Sequence, residues 1–335
     1  LAAWGALVTP TAAREIRLRA LHPGTLHVRA SWNGLQATSG GLLLTAGPMH
    51  ALTVESAADG GGEAIAARTL AAGDSLALYA VARDAQQNFV ASVAVHWELA
   101  GQAGHLATAY GPGTRFVAER PGTSQVRATH AELGQSRSGD LAVGPGTPTQ
   151  LVIERSAGDP TDALGAVTLA CGDSLVAYAV QRDALGNWVG AASATWSLEG
   201  DAGAATLAAD STTGRATLHG LHPGVVRLAA RWNDLAAASG LVQMVPGAVV
   251  RYALETAGDG RGTPVGPRTL LAGELLALHA VRRDAVDNFV AALEVSWTLE
   301  GTIGRLDRTS GAQATLLVER AGRGRVTAQH PSLGA

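Results

Sequence analysis

The sequence predicts an all-β protein, a row of antiparallel β-sandwiches joined by short Pro/Gly linkers. Three observations predict it. The segment AGDSLALYAVARDAQQNFV, with Gly73, returns as CGDSLVAYAVQRDALGNWV with Gly172 and as AGELLALHAVRRDAVDNFV with Gly273, spacings of 99 and 101 residues. Asp84, Asp183 and Asp284 keep that register, as do Asn88, Asn187 and Asn288, and Trp97, Trp196 and Trp297. Within the repeat, apolar Val95, Trp97 and Leu99 alternate with His96 and Glu98, the pattern of a strand with one face buried. A period near 100 residues fits one sandwich domain and is too long for a solenoid repeat.

Pro/Gly punctuation at AGPMH, GPGTP and VPGAV sets the boundaries, each followed by an apolar run, LTVESA, LVIERSA or YALETA, that reads as a first strand. Complete units are expected over 47–145 and 146–246. Residues 1–46 match 201–246 at an offset of 200 and are expected to be the C-terminal half of a unit. Residues 247–335 are expected to form a unit without its last strand, so both terminal units would be completed by polypeptide outside these 335 residues.

Within each unit the Trp strand should supply the core plug, with Ala194, Trp196 and Leu198 and then Val295, Trp297 and Leu299 repeating the inward face. On the preceding strand Leu76, Leu78 and Ala80 point in, while Tyr79, Tyr178 and His279 take the other face. The connections RDAQQNF, RDALGNW and RDAVDNF read as turns: Asp and Asn accept backbone N–H groups, and the following aromatic returns to the core. The Ala-rich pieces are short and Gly-broken, and AAREIRLRALH reads as strand and turn because its counterpart TTGRATLHGLH does.

Composition describes a folded chain of small side chains: 47% apolar, 16% charged, 42 Gly and 3 Phe. All 25 basic residues are Arg, and the net charge of −3 gives no basic field for nucleic acid. Arg14, Arg17 and Arg19 form one local basic run, but its counterpart keeps only Arg215. No apolar run reaches the length of a membrane-spanning helix.

The sequence offers no catalytic, cofactor-binding or metal-binding residues. The single Cys171 stands where the other copies have Ala72 and Ala272, which suits a small core filler and allows no intradomain disulfide. His219 and His222 bracket a turn without zinc-protease spacing. Asp59 with Glu63, and Asp159 with Asp162, read as solvated loop carboxylates. The loop aspartates offer too few oxygens for calcium. GDGRGTPVG lacks the Lys-Ser/Thr of a phosphate loop.

The order A-G-[DE]-x-L, R-D-A-x-x-N-[FW]-V, a strand ending W-x-L, then S-G before a P-G linker resembles the bacterial immunoglobulin-like repeats of invasin/intimin-type adhesins and large secreted proteins. The resemblance spans essentially the whole chain. That family's loop has Gly before Asn, kept only at Gly186-Asn187; Gln87 and Asp287 hold the place elsewhere. The resemblance implies immunoglobulin-like sandwiches serving as a non-enzymatic stalk or spacer of an extracellular or cell-surface bacterial protein. The expected partners are neighbouring domains of the same chain. Two other readings use the same sandwiches. A filament or sheath subunit would add lateral or end-to-end copies, and a carbohydrate-binding accessory module would need an aromatic platform, for which Tyr79, Tyr110 and Tyr178 are the candidates.

Overall fold

The structure, a computed structural model, describes residues 5–7, 14–158 and 162–330. Every regular element among them is a strand. The chain divides into two compact units, Leu1–Pro148 with Asp183–Val189, and Thr149–Arg182 with Gly190–Ala335.

The first unit holds one complete sandwich. In one sheet the strand Ser75–Arg83 pairs with Ala51–Glu55, Phe89–Ser92 and Gly113–Ala118, and Gly104–Leu106 follows at the edge. The second sheet runs Tyr110–Gly111, Val95–Gly101, Gly122–His130, Leu141–Gly144, Arg68–Ala71, with Gly134–Arg137 also pairing Gly122–His130. All pairings are antiparallel except Arg68–Ala71 with Leu141–Gly144, which is parallel. In chain order this places the first, second, fifth and fourth principal strands in one sheet and the third, sixth and seventh in the other. That is the immunoglobulin-like arrangement. Between the sheets Val54, Leu78, Ala80, Val95, Phe116, Val126 and Leu141 are almost wholly buried, and Trp97 is 5% exposed.

Serine and glycine together kink the last strand. Ser138 Oγ accepts the Val126 N–H (2.9 Å) and donates to Gly139 O, while Gly139 N–H reaches Ile65 O at 2.7 Å. A Cβ on Gly139 would lie 2.2 Å from Ala67 N, so the close backbone approach requires glycine. Ser239-Gly240 does the same against Leu228 and Leu164 in the second unit.

Residues 14–46 form two further two-stranded pairs, Gly24–Leu26 with Leu42–Leu44 and Arg29–Trp32 with Leu35–Thr38. Leu42 is 38% exposed where Val242 is fully buried, and Trp32 is 73% exposed where Trp232 packs against a core. The same sequence pattern leaves these side chains exposed here, where the described residues form only two-stranded pairs, Gly5–Leu7 with Leu18–Ala20 among them. AAREIRLRALH contains one short strand, Leu18–Ala20, so Arg14 and Arg17 precede the strand and only Arg19 lies on it.

The second unit holds two sandwiches. One packs Gln150–Glu154, Ser174–Arg182, Arg215–Gly220 and Ala205–Asp210 over Val167–Ala170, Val242–Val245, Gly224–Trp232 and Thr195–Gly200. The other packs Arg251–Glu255, Leu275–Arg283, Gln313–Val318 and Gly304–Leu306 over a three-stranded sheet of Ser310–Gly311, Val295–Glu300 and Arg325–Gln329. Residues 268–271, equivalent to the parallel strand Arg68–Ala71, are not in a strand.

The tryptophans are not equivalent plugs. Trp297, 2% exposed, donates Nε1–H to Gly311 O at 2.8 Å, as Trp97 does to Gly111 O at 3.0 Å. Trp196 is only partly buried, and its Nε1 is enclosed without an acceptor. The physical reason is local: the short strand that supplies the glycine carbonyl is replaced by the longer Ala205–Asp210 hairpin arm.

Replacing Trp97 by Phe removes a ring edge and the indole hydrogen bond to the Gly111 carbonyl, whereas Trp196→Phe removes an unpaired buried donor. The first should therefore lower stability by about 1–2 kcal/mol more than the second. Urea unfolding of the two variants checks this, and equal losses would contradict it.

Candidate functional site

The chemistry that recurs in every sandwich lies where one sandwich meets the preceding chain. It begins with a buried ion pair. Glu55 ends the first strand and is 1% exposed. Arg83, across the sheet, donates Nε–H to its Oε1 (2.6 Å) and Nη2–H to its Oε2 (2.7 Å). The remaining guanidinium donors reach Gln87 O (2.8 Å) and Gly60 O (3.3 Å), so one planar fork ties the strand to two loops. Arg283 repeats all four bonds with Glu255, Asp287 O and Gly260 O, and Arg182 Nε meets Glu154 Oε1 at 2.7 Å.

The next residue, Asp84, closes the turn. Its Oδ1 accepts N–H from Gln86 and Asn88, each at 2.9 Å; its Oδ2 accepts Asn88 Nδ2–H and the linker Gly47 N–H, also at 2.9 Å. Asp183 holds Gly146 N–H and Asp284 holds Gly247 N–H in the same way, both at 2.8 Å. Gln87, Gly186 and Asp287 all have φ between 65° and 81°, so the turn keeps one left-handed geometry whether or not Gly precedes Asn.

The asparagine reaches out of its own sandwich. Asn88 Nδ2–H donates to Leu21 O at 2.8 Å, and Asn288 Nδ2–H to Leu221 O at 2.7 Å. Asn187 Nδ2–H does so to Glu119 O at 2.7 Å. Because Nδ2 faces two acceptors, Oδ1 is the acceptor left for His22 Nδ1–H (2.8 Å) and His222 Nδ1–H (2.7 Å).

These bonds depress the aspartates. Asp84 falls to about 2, held there first by the Asn88 side chain and, against burial, by the N–H groups of Gly47, Asn88 and Gln86. Burial pushes Asp183 and Asp284 up, but the linker glycine, the asparagine and the turn N–H groups outweigh it and leave both below the ordinary range.

Other residues singled out by sequence fall elsewhere. The aromatic after Asn does not enter the core: Trp188 is 46% exposed, and Phe89 and Phe289 lie half-buried over Gly60 and Gly260, because the strand they begin is at a sheet edge. Cys171 is buried in the core, and burial pushes its thiol up. His219 Nδ1 meets Ser174 Oγ at 2.7 Å while His222 faces Asn288, so the histidine pair is not brought together. No cluster of three His, Cys, Asp or Glu suited to a metal occurs among the described residues. Asp59 is exposed and accepts Gly61 N–H, Glu63 is exposed, and Asp162 accepts the Ser156 hydroxyl; Asp159 lies outside the described residues. Tyr79 and Tyr110 sit on different sheets of the first sandwich and Tyr178 on another sandwich, and Tyr110 tilts against His96. No described helix is long and apolar enough to cross a membrane.

No family model matches the sequence. No curated protein matches it either. Among solved structures it is similar to FdeC, an Escherichia coli adhesin, at 17% identity over 87% of this chain and 96% of that one, with a TM-score of 0.36. It is similar to invasin, a bacterial integrin-binding protein, at 12% identity over 95% and 65% of the two chains, with a TM-score of 0.32. For the D00–D0 domain of intimin the values are 14% identity, 58% and 99%, and 0.30.

Two expectations follow from the site. Arg283→Ala leaves the buried Glu255 without its partner and should cost the third sandwich about 3–5 kcal/mol. A loss below about 1 kcal/mol in urea unfolding would mean that the carboxylate is rehydrated. Because the folded aspartates titrate below the unfolded chain, the unfolded state takes up protons first on acidification. For Asp84 the stabilisation is complete above about pH 4 and is lost as the pH falls towards about 2, and Asp183 and Asp284 contribute in the same direction. Acid unfolding of the Asp84→Asn variant should lack that part of the pH dependence in the first sandwich, and an unchanged profile would contradict it.

Proposed function

We propose that this chain is a spacer segment of an extracellular or cell-surface bacterial protein, a stalk of linked sandwiches whose contribution is reach. On this reading residues 47–145 and 146–246 are complete domains, 1–46 carries the later strands of another, and 247–335 carries the earlier strands of a fourth. The partners are then the neighbouring domains of the same polypeptide.

The repeated joint carries the reading. A free Pro/Gly linker would let adjacent sandwiches swing, as flexible linkers do. Here Asp84 and Asp284 hold the linker amide, and Asn88 and Asn288 hold a loop carbonyl of the preceding segment. Each joint is therefore pinned on both sides of the linker by charge-assisted and amide bonds that involve no ligand. A binding module or an enzyme has no need to repeat this at every boundary. A spacer does.

Small-angle scattering of the recombinant chain should give an elongated particle, with Asn88→Ala and Asn288→Ala broadening the distance distribution. A compact particle would sink the spacer reading, and ordered assembly at micromolar concentration would favour the filament.

A further inference from the structure

The sandwiches are of two kinds, and the kinds alternate. In 47–145 and 247–330 the core tryptophan bonds a glycine carbonyl, Gly111 or Gly311, and the facing strand has three residues. In the second sandwich that strand has six residues and Trp196 Nε1 has no acceptor. The hairpins divide in the same way. Trp32–Leu35 and Trp232–Leu235 close two-residue turns with Asn33 at φ 48° and Asn233 at φ 49°, whereas His130 pairs with Gly134 across a three-residue loop. The loop offered to the next domain is Leu-His-Pro-Gly at 21–24 and 221–224. At 119–122 and 319–322 it is Glu-Arg-Pro-Gly and Glu-Arg-Ala-Gly.

The joints differ accordingly. Asn88 and Asn288 each bond an imidazole as well as a carbonyl; at Asn187 the carbonyl is that of Glu119, and Arg120 occupies the histidine's place. Each compact unit contains one His–Asn joint. Val286, from the turn of the third sandwich, also packs on the core of the second.

We infer that the element this chain repeats is a pair of sandwiches, recurring at the 200-residue offset between His22 and His222, in which a histidine-loop sandwich is coupled to the glycine-acceptor sandwich after it through the His–Asn bond. The pair is the cooperative body, whether the parent protein is a stalk or a filament.

Cys171, the only cysteine, tests this in the full chain. It is buried in the second sandwich at the end facing the joint: its carbonyl would lie 2.5 Å from a Cβ on Gly247, and the charge of Asp284 acts on its thiol. Coupling should keep the thiol closed to a maleimide probe, since labelling requires local opening. His222→Ala, which removes the imidazole and leaves the turn of the third sandwich intact, should speed labelling by roughly fivefold or more, the effect of one lost hydrogen bond. His222→Arg, which imitates the other joint, should do the same. Arg120→Ala, which removes the exposed side chain in the histidine's place at the other joint and leaves the turn of the second sandwich intact, should leave the rate unchanged. Unchanged labelling in both His222 variants would overturn the inference, as would an Arg120→Ala rate equal to theirs.

Discussion

The buried carboxylate–guanidinium pair at the end of each first strand is the constraint on which the joint depends. Enclosing Glu55 and Arg83 costs desolvation on both sides, and such pairs seldom stabilise a fold beyond what apolar residues of equal volume would give. Their effect is geometric. The fork that satisfies Glu55 leaves three N–H groups whose directions are then fixed, and two of these set the backbone of the Asp-to-Asn turn through Gln87 O and of the first loop through Gly60 O. With the turn fixed, Asp84 faces the linker and Asn88 faces the preceding loop. An ammonium group offers no such planar fork, so lysine could not take this place.

Around this constraint the cores are built from small residues. The second sandwich encloses Ala177, Ala179, Ala192, Ala194, Ala204, Ala205 and Ala230 with a few larger side chains, among them Leu218, Leu228 and Met244. Alanine has low strand propensity, so these strands are not selected by intrinsic preference. They are held by ladder pairing and by the close approach of sheets that small side chains permit. The same economy gives weight to the single tryptophan in each of the first and third cores, where Trp97 and Trp297 bond a glycine carbonyl and are buried almost completely.

The sequence made the strands legible because period two survives in Val95–Trp97–Leu99 and its two counterparts. It also showed Asp and Asn as turn residues. The donors and acceptors that give those residues their reach were not visible, since the Gly47 N–H and the Leu21 carbonyl carry no side-chain signature. The ion pair could have been found. Glu55 and Arg83, Glu154 and Arg182, and Glu255 and Arg283 each stand 28 residues apart. It was missed because Glu55 follows Ala51 and Thr53 in the alternation and so reads as solvent-facing, whereas the strand buries Val54 and Glu55 together at its end. Trp196 shows the opposite failure. Its register is that of Trp97, but the altered hairpin beside it lies in residues whose spacing no longer matches the repeat.

The occupancy of the aspartate also decides what kind of joint this is. A carboxylate has about four acceptor positions, and at Asp84 four N–H groups use them: two from the turn backbone, one from the Asn88 amide and one from the linker. A hard cation drawn to this carboxylate would have to displace one of the Gln86, Asn88 and Gly47 donors, and displacing Gly47 releases the linker. Cation binding and joint closure therefore compete for the same oxygens. The joint closes on donors carried by the chain itself, the Gly47 N–H and the Asn88 amide on Asp84.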